Sequence, residues 1–420
     1  MDSFLIEGGV PLRGEVIISG SKNAVLPIMA ATLLTAERCV IRRVPALTDV
    51  GYMSKILRSL GAEVILEDGT LTVRAAQLSG FGDYDLIRKM RGSICILGPL
   101  LARLHEARVS LPGGCVIGTR PIDLHLKGLR GLGAEVDTEG GYIRVHAAKL
   151  TGQMVFMGGR TGPTVLGTAN ILMAATLAEG VTVIESAACE PEIIDLAHFL
   201  IAMGAKIVGA GSPTITVTGV PALHGADHEV ITDRIEAGTF AAAAVATRGE
   251  VMIHGARHDH LVAVLDKLRE AGGEIVYCAS GIKVSARADF KPVDITTMPY
   301  SGFPTDMQAQ MMALACLANG TSIITERIFE SRFMHASELM RLGADISIEG
   351  ASAIVKGGRP MSGAPVMASD LRASAALVIA GLAASGKTQV NRVYHLDRGY
   401  ERMELKLQKL GARIQRVEEE

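Results

Sequence analysis

The sequence predicts an α/β (α+β) protein of two domains, built from six diverged copies of one helix–strand–helix–hairpin unit. Three observations predict it. One short phrase returns six times: LGAEV at Leu60 and Leu132, MGAKI at Met203, AGGEI at Ala271, LGADI at Leu342 and LGARI at Leu410. Its glycines, Gly61, Gly133, Gly204, Gly272, Gly343 and Gly411, are spaced by 72, 71, 68, 71 and 68 residues, and a leucine stands four positions before each. Upstream of the phrase lies a segment that is apolar nearly all round, and downstream a strand pair with turn residues.

The apolar segment comes first in each unit: LPIMAATLL from Leu26, NILMAATLA from Asn170, MQAQMMALACL from Met307, ASAALVIAGLAA from Ala373. A helix without a polar face belongs inside a core. A short β-branched strand follows, as in VTVIE from Val181 and TSIIT from Thr321. The next helix is amphipathic. Met53, Ile56, Leu57 and Leu60 recur at i, i+3, i+4, i+7, as do Leu196, Phe199, Leu200 and Met203. The phrase glycine ends that helix, where a left-handed residue is wanted. A hairpin closes the unit, as in AEVILEDGTLTVRA from Ala62, with Asp68-Gly69 as its turn. Three units around three buried helices make one domain, so six make two. The expected domains are residues 22–230 and residues 1–21 plus 231–420. The chain ends on a single strand, ARIQRV, and the N-terminal strand at residues 4–7 is expected to be its partner.

Composition narrows the function. Of 420 residues 48% are hydrophobic and 20% charged, a globular and not a disordered balance. The net charge of -2 argues against nucleic acid as a partner. The longest apolar run, residues 373–384, is too short to cross a bilayer, and the start MDSFLIEGGVPLRG lacks the pattern of a signal peptide. Neither a membrane partner nor export is expected. The six cysteines form no CxxC pair, which suits reduced thiols in a cytoplasmic protein.

Polar residues gather at one repeat position. Lys22, Arg91, Thr164, Arg234, Asp306 and Arg372 stand just upstream of the six apolar helices, 39, 42, 40, 38, 37 and 39 residues before their phrase glycines. The loops before the amphipathic helices add Asp49, Arg120, Glu190, Arg332 and Arg398. Helix N-termini carry partial positive charge, and with Lys and Arg they form sites for phosphate and carboxylate. The set implies a cleft between two facing domains that binds a polyanionic ligand. The plainer alternative is that these residues cap helices and pair on the surface.

Cys115 lies in LPGGCVIGTRP, residues 111–121, a loop with three glycines and two prolines. A thiol near the Arg120 guanidinium has a lowered pKa and serves as acid or nucleophile. The other five cysteines sit in strand-like or apolar stretches and read as core.

Longer motifs carry a family resemblance: SKNA at Ser21, the PGGC loop followed by GTRPIDLH, FPTDMQAQ at Phe303, ESRFMH at Glu330, MASDLRASA at Met367 and YHLDRGYER at Tyr394. Over essentially its whole length the chain resembles the UDP-N-acetylglucosamine enolpyruvyl transferases, which share a six-unit fold with the enolpyruvylshikimate phosphate synthases; the latter lack the cysteine loop. The resemblance implies a two-domain inside-out α/β barrel that closes on substrate. It implies transfer of enolpyruvyl from phosphoenolpyruvate to the 3'-hydroxyl of UDP-N-acetylglucosamine with release of phosphate, the first committed step of peptidoglycan precursor synthesis. No metal and no cofactor are implied. Carried over, Cys115 is the general acid, forms a covalent adduct with phosphoenolpyruvate and is the residue that fosfomycin alkylates, while Asp306 is the base. Lys22, Arg120 and Arg398 grip phosphoenolpyruvate, with Arg332, Asp370 and Arg372 nearby. Asn23, Arg91, Arg120, Pro121, Ile122, Asp123, Leu124, Asp306 and Ile328 contact the UDP-sugar. RTGPTVLGT from Arg160 departs from the lysine-serine-valine-glycine version of some members, and Thr164, Val165 and Gly167 are expected near the diphosphate. Two other readings compete: an enolpyruvyl transferase with a different acceptor, and a repeat scaffold that binds a nucleotide-sugar without turning it over.

Two motifs are decoys. GLAASGKT at residues 381–388 matches the phosphate-binding loop pattern, but an apolar helix precedes it and a strand, TQVNRV, follows, the reverse of what that motif needs. His258-Asp259-His260 offers two histidines without a third metal ligand and reads as a surface loop.

Overall fold

The computed structural model describes residues 2–113, 121–286 and 289–418. They divide into an N-terminal unit, residues 20–113 and 121–231, and a C-terminal unit, residues 2–19, 232–286 and 289–418. Each has its own hydrophobic core.

Three helices fill the middle of each core. In the N-terminal unit they are α1 (Lys22–Ala31), α2 (Leu97–Leu104) and α3 (Val165–Ala175). In the C-terminal unit they are α4 (Arg234–Ala246), α5 (Gln308–Ala315) and α6 (Leu371–Ala383). All residues of α4 after Arg234 are buried, as are all of α3 after Leu166. Within their unit α4, α5 and α6 pack on one another, and α1 and α2 both pack on α3. Small residues permit that approach. A Cβ on Gly98 of α2 would stand 2.3 Å from the Asn170 carbonyl oxygen of α3, so only glycine fits there.

The amphipathic helices end as the repeat phrase predicts. All six phrase glycines have positive φ, from 89° at Gly411 to 105° at Gly272. After the helix Thr48–Ser59, Gly61 N donates to Arg58 O and Ala62 N donates to Leu57 O, both at 3.0 Å. This paired closure satisfies carbonyls the helix leaves open. The same bond runs from Ala134 to Leu129, Ala205 to Leu200, Ala344 to Leu339 and Ala412 to Leu407. In these five repeats the recurrent leucine accepts the closing bond with its carbonyl, and in all six its side chain fills the core, fully buried. In the following hairpin Asp68 and Gly69 have φ of 45° and 71°, the mirror-image turn that suits strand twist.

Each repeat builds one four-stranded sheet. Its central strand pairs antiparallel with a hairpin and parallel with a short edge strand. The edge strand adds an element to the expected order of helix, strand, helix and hairpin. It follows one hairpin and pairs with the central strand of the next repeat: Phe81–Gly82 with Glu106–Ser110, and Met154–Phe156 with Val181–Glu185. Asp227–Glu229 then returns to Arg38–Arg42, so the three sheets of the N-terminal unit form a closed circuit. The C-terminal unit closes likewise, through Ile295–Thr296, Pro365–Met367 and Arg13–Ile17. Its last sheet borrows Ser3–Glu7, which pairs antiparallel with both Lys387–Asn391 and the terminal strand Arg413–Val417.

Candidate active site

In the N-terminal unit Lys22 is the first residue of α1, behind Ser21, whose Oγ accepts from Ala24 N at 3.4 Å. Lys22 Nζ pairs with Asp49 Oδ2 at 2.9 Å, and Asn23 beside it is half-buried. Asp49 was expected in a loop; it lies buried in the first turn of Thr48–Ser59, where the helix dipole favours a carboxylate. Arg91 opens the turn Arg91–Ile96 that leads into α2, and its Nη2 donates to Pro121 O at 3.4 Å. Arg91 thereby meets the segment Pro121, Ile122, Asp123 and Leu124, the last two being the first residues of the helix Asp123–Gly131. Thr164 caps α3, its Oγ1 accepting from Gly167 N at 3.3 Å, with Val165 in the same turn. The strand pair before it, Gly158–Gly159 with Gly162–Pro163, packs on Leu124: a Cβ on Gly159 would lie 2.9 Å from Leu124 Cδ1. Cys115 and Arg120 lie outside the described residues.

A buried network supports this cluster. Asn170 of α3 donates through Nδ2 to Ile94 O and to His125 Nδ1, and its Oδ1 accepts from Gly98 N, each at 2.9 Å. Both Nδ2 hydrogens are committed, so His125 Nδ1 must accept and the ring is the neutral Nε2–H tautomer. Burial, aided by the Arg91 charge, pushes the His125 pKa down to about 3. His125 closes the GTRPIDLH motif and Asn170 is, with Thr168, one of two polar residues in an apolar helix; sequence reasoning passed over both.

In the C-terminal unit Asp306, Arg332 and Arg372 come together. Asp306 sits in the turn Thr305–Met307 that leads into α5. Its Oδ1 accepts from Arg332 Nη1 at 3.0 Å and its Oδ2 from Arg372 Nε at 3.2 Å. The two arginines are buried, with side chains 6% and 2% exposed, while Asp306 keeps 28%. The Arg372 guanidinium lies 5.1 Å from the Tyr400 ring centroid. Both Arg372 Nη atoms are buried without a hydrogen-bonding partner among the described residues. The four N–H donors of these two atoms in so dry a place ask for an anion. Asp370 caps α6, its Oδ1 accepting from Arg372 N at 2.8 Å and Ala373 N at 3.0 Å. Ile328 lies between the strand Thr321–Thr325 and Arg332, and Arg398 ends the turn Val393–Arg398.

The expectation of six positive helix ends needs correction. Asp233 and Asp370 put carboxylates on the N-termini of α4 and α6, where they offset the local dipole. The caps are also a partial success for the plainer reading, yet the pairs around Lys22 and Asp306 are buried rather than on the surface.

Two cysteines also depart from expectation: Cys278, at the end of the strand Gly273–Cys278, is exposed, and Cys189 is half-buried. An apolar neighbourhood in sequence does not bury a hairpin tip. Cys95 and Cys316 are buried, and that burial pushes each thiol up to about 12. The GLAASGKT segment joins α6 to the strand Lys387–Asn391, with no helix after the loop. His258–His260 is one exposed turn in which Asp259 pairs with Arg257 at 2.6 Å and His258 stacks on Tyr277. Among the described residues no group of His, Cys, Asp and Glu is placed to hold a metal ion, and no helix is long and apolar enough to cross a membrane.

Comparison with known proteins adds three findings. The model of the EPSP synthase (3-phosphoshikimate 1-carboxyvinyltransferase) family matches residues 6–407. UDP-N-acetylglucosamine 1-carboxyvinyltransferase of Methylacidiphilum infernorum is 55% identical over 417 residues, 99% of each chain, and that of Nitratidesulfovibrio vulgaris is 54% identical over the whole of both chains. Among solved structures, the enolpyruvyl transferase NikO from Streptomyces tendae superposes with a TM-score of 0.90 at 28% identity, covering 99% of each chain. EPSP synthase from Acinetobacter baumannii, at 18% identity and a TM-score of 0.76 over the whole of both chains, shares the fold.

Proposed function

The chain belongs to the EPSP synthase family of enolpyruvyl transferases, and from that premise we propose that it transfers the enolpyruvyl group of phosphoenolpyruvate to the 3'-hydroxyl of UDP-N-acetylglucosamine. The observation that carries the reading is the Asp306 carboxylate set between Arg332 and Arg372, with the Arg372 Nη donors buried and unpartnered among the described residues. That is a base beside an anion site.

The chemistry follows from these groups. Asp306 takes the proton of the sugar 3'-hydroxyl as its oxygen bonds to C2 of phosphoenolpyruvate, and the Cys115 thiol delivers a proton to the methylene carbon C3. The adduct is a tetrahedral ketal that still holds the phosphate. It collapses by losing one proton from C3 and expelling phosphate, which leaves the enolpyruvyl ether. Positive charge develops at C2, next to a carboxylate and a phosphate, so fixed cations must hold both anions without quenching the carbon. Arg332 and Arg372 serve that end beside Asp306, and Lys22, Arg120 and Arg398 grip phosphoenolpyruvate. Lys22, Asn23, Arg91, residues 121–124 and the Thr164 cap supply the nucleotide-sugar contacts, with Ile328. On this reading the product serves peptidoglycan synthesis, and the reaction runs in the cytoplasm.

Phosphate release from phosphoenolpyruvate, measured with UDP-N-acetylglucosamine, with 3-phosphoshikimate and with no acceptor, tests the proposal. Release that needs the UDP-sugar is expected. Release with 3-phosphoshikimate alone transfers the chain to the other acceptor class, and no release with any acceptor leaves the scaffold reading.

A further inference from the structure

We propose that Glu326, acting through the Thr305 hydroxyl, is the positioning residue that holds Arg332 against the catalytic base Asp306. This inference rests on the reaction proposed above.

Glu326 is fully buried, just after the central strand Thr321–Thr325. Four donors converge on it. Its Oε1 accepts from Thr297 Oγ1 at 2.6 Å, Ile328 N at 2.9 Å and Phe329 N at 3.1 Å, and its Oε2 accepts from Thr305 Oγ1 at 2.9 Å. The Thr305 hydroxyl has a single proton. Spending it on Glu326 turns the oxygen lone pairs outward, and Arg332 Nη1 donates to that oxygen at 2.9 Å. The same Nη1 donates to Asp306 Oδ1 at 3.0 Å. Along the line Glu326–Thr305–Arg332–Asp306 donation runs outward from Arg332, to Asp306 on one side and through Thr305 to Glu326 on the other, so every proton has one assignment and each group fixes the next.

A second hold works through the backbone. Glu326 fixes the amides of Ile328 and Phe329, the Phe329 carbonyl accepts from Arg332 N at 2.9 Å, and the Phe329 ring lies 5.8 Å from the Arg332 guanidinium. Arg332 is thus set at both ends of its side chain by one carboxylate. Long side chains lose much rotamer freedom when fixed, and a base must sit within hydrogen-bond reach of its proton. Thr297 provides an internal control. It binds Glu326, and its Oγ1 accepts from Arg327 N at 2.9 Å, but it is not on the line to Arg332.

The test is steady-state kinetics of the full chain with phosphoenolpyruvate and UDP-N-acetylglucosamine. Thr305→Val removes the hydroxyl and keeps the shape; Thr305→Ser restores it; Glu326→Gln alters the anchor. Loss of alignment at the base is expected to lower kcat about tenfold to a hundredfold in Thr305→Val and in Glu326→Gln. KM for phosphoenolpyruvate should move by less than about threefold in both. Thr305→Ser should regain most of the rate, the double variant should lose no more than its worse parent, and Thr297→Val should keep kcat. A Thr305→Val enzyme with unchanged kcat, or equal losses in the Val and Ser variants, overturns the inference while leaving the reaction standing. A wild-type chain without acceptor-dependent phosphate release overturns the reaction first and the inference with it.

Discussion

Acidification should weaken the N-terminal unit through His125. The perturbation is His125→Gln, whose amide oxygen still accepts the Asn170 bond but which never takes a proton. In the wild type the folded pKa is pushed to about 3, chiefly by burial. An unfolded histidine titrates near about 6.5. Between those values the unfolded chain binds a proton that the folded chain refuses, so unfolding gains as pH falls. The stability is complete above about pH 6.5 and drains toward about pH 3, at up to about 1.4 kcal/mol per pH unit. Geometry gives the same sign. Protonation at Nδ1 would place an N–H against the Asn170 Nδ2, whose other hydrogen is held by Ile94 O. From about pH 6.5 to about pH 4.5 the difference between wild type and variant should change by roughly 2–3 kcal/mol, a large share of a typical folding free energy. Urea titrations of both proteins, followed by far-ultraviolet circular dichroism across that range, read it directly. His335 and the carboxylates titrate in both proteins and cancel. Parallel loss of stability in wild type and His125→Gln would refute the reasoning.

Other expectations follow from the same sites. Asp306→Asn should lower kcat by about 10²–10⁴, while phosphoenolpyruvate binds at least as well by calorimetry, because Arg332 and Arg372 lose their counter-charge; weaker binding would argue against an anion site there. Cys115→Asp should retain turnover yet escape inactivation by fosfomycin, if the thiol acts as an acid; complete loss of turnover counts against that role. Lys387→Ala, in the GLAASGKT segment, should leave kcat and KM unchanged, since the exposed Lys387 opens the central strand of its sheet and no helix follows the loop to offer its N-terminus to a phosphate.

Much of the fold was legible because the repeat phrase carries its own physics. A glycine at positive φ, a leucine accepting the closing bond and an Asp-Gly turn are local requirements, and local requirements leave marks in sequence. The edge strands left none. Phe81–Gly82 and Ile295–Thr296 are two residues long, and what makes them strands is a distant partner rather than their own periodicity. The candidate site divides the same way. Lys22, Asp306 and Arg372 stood out because charge at a buried helix end is rare. Glu326, Asn170, His125 and Tyr400 did not, because each looks ordinary in its own segment. Only the fold brings Glu326 to Thr305, or Asn170 to His125. Asp233 and Asp370 show the converse limit: sequence placed charge at the helix ends but did not say that two of those ends were already neutralised.

The most direct test of addition followed by elimination is the nuclear magnetic resonance spectrum of product formed in deuterium oxide. C3 passes through a methyl group in the ketal, so the account predicts a 3'-O-enolpyruvyl UDP-sugar whose methylene group carries deuterium. An unlabelled methylene in the finished product, or a sugar recovered without the enolpyruvyl group, would contradict it.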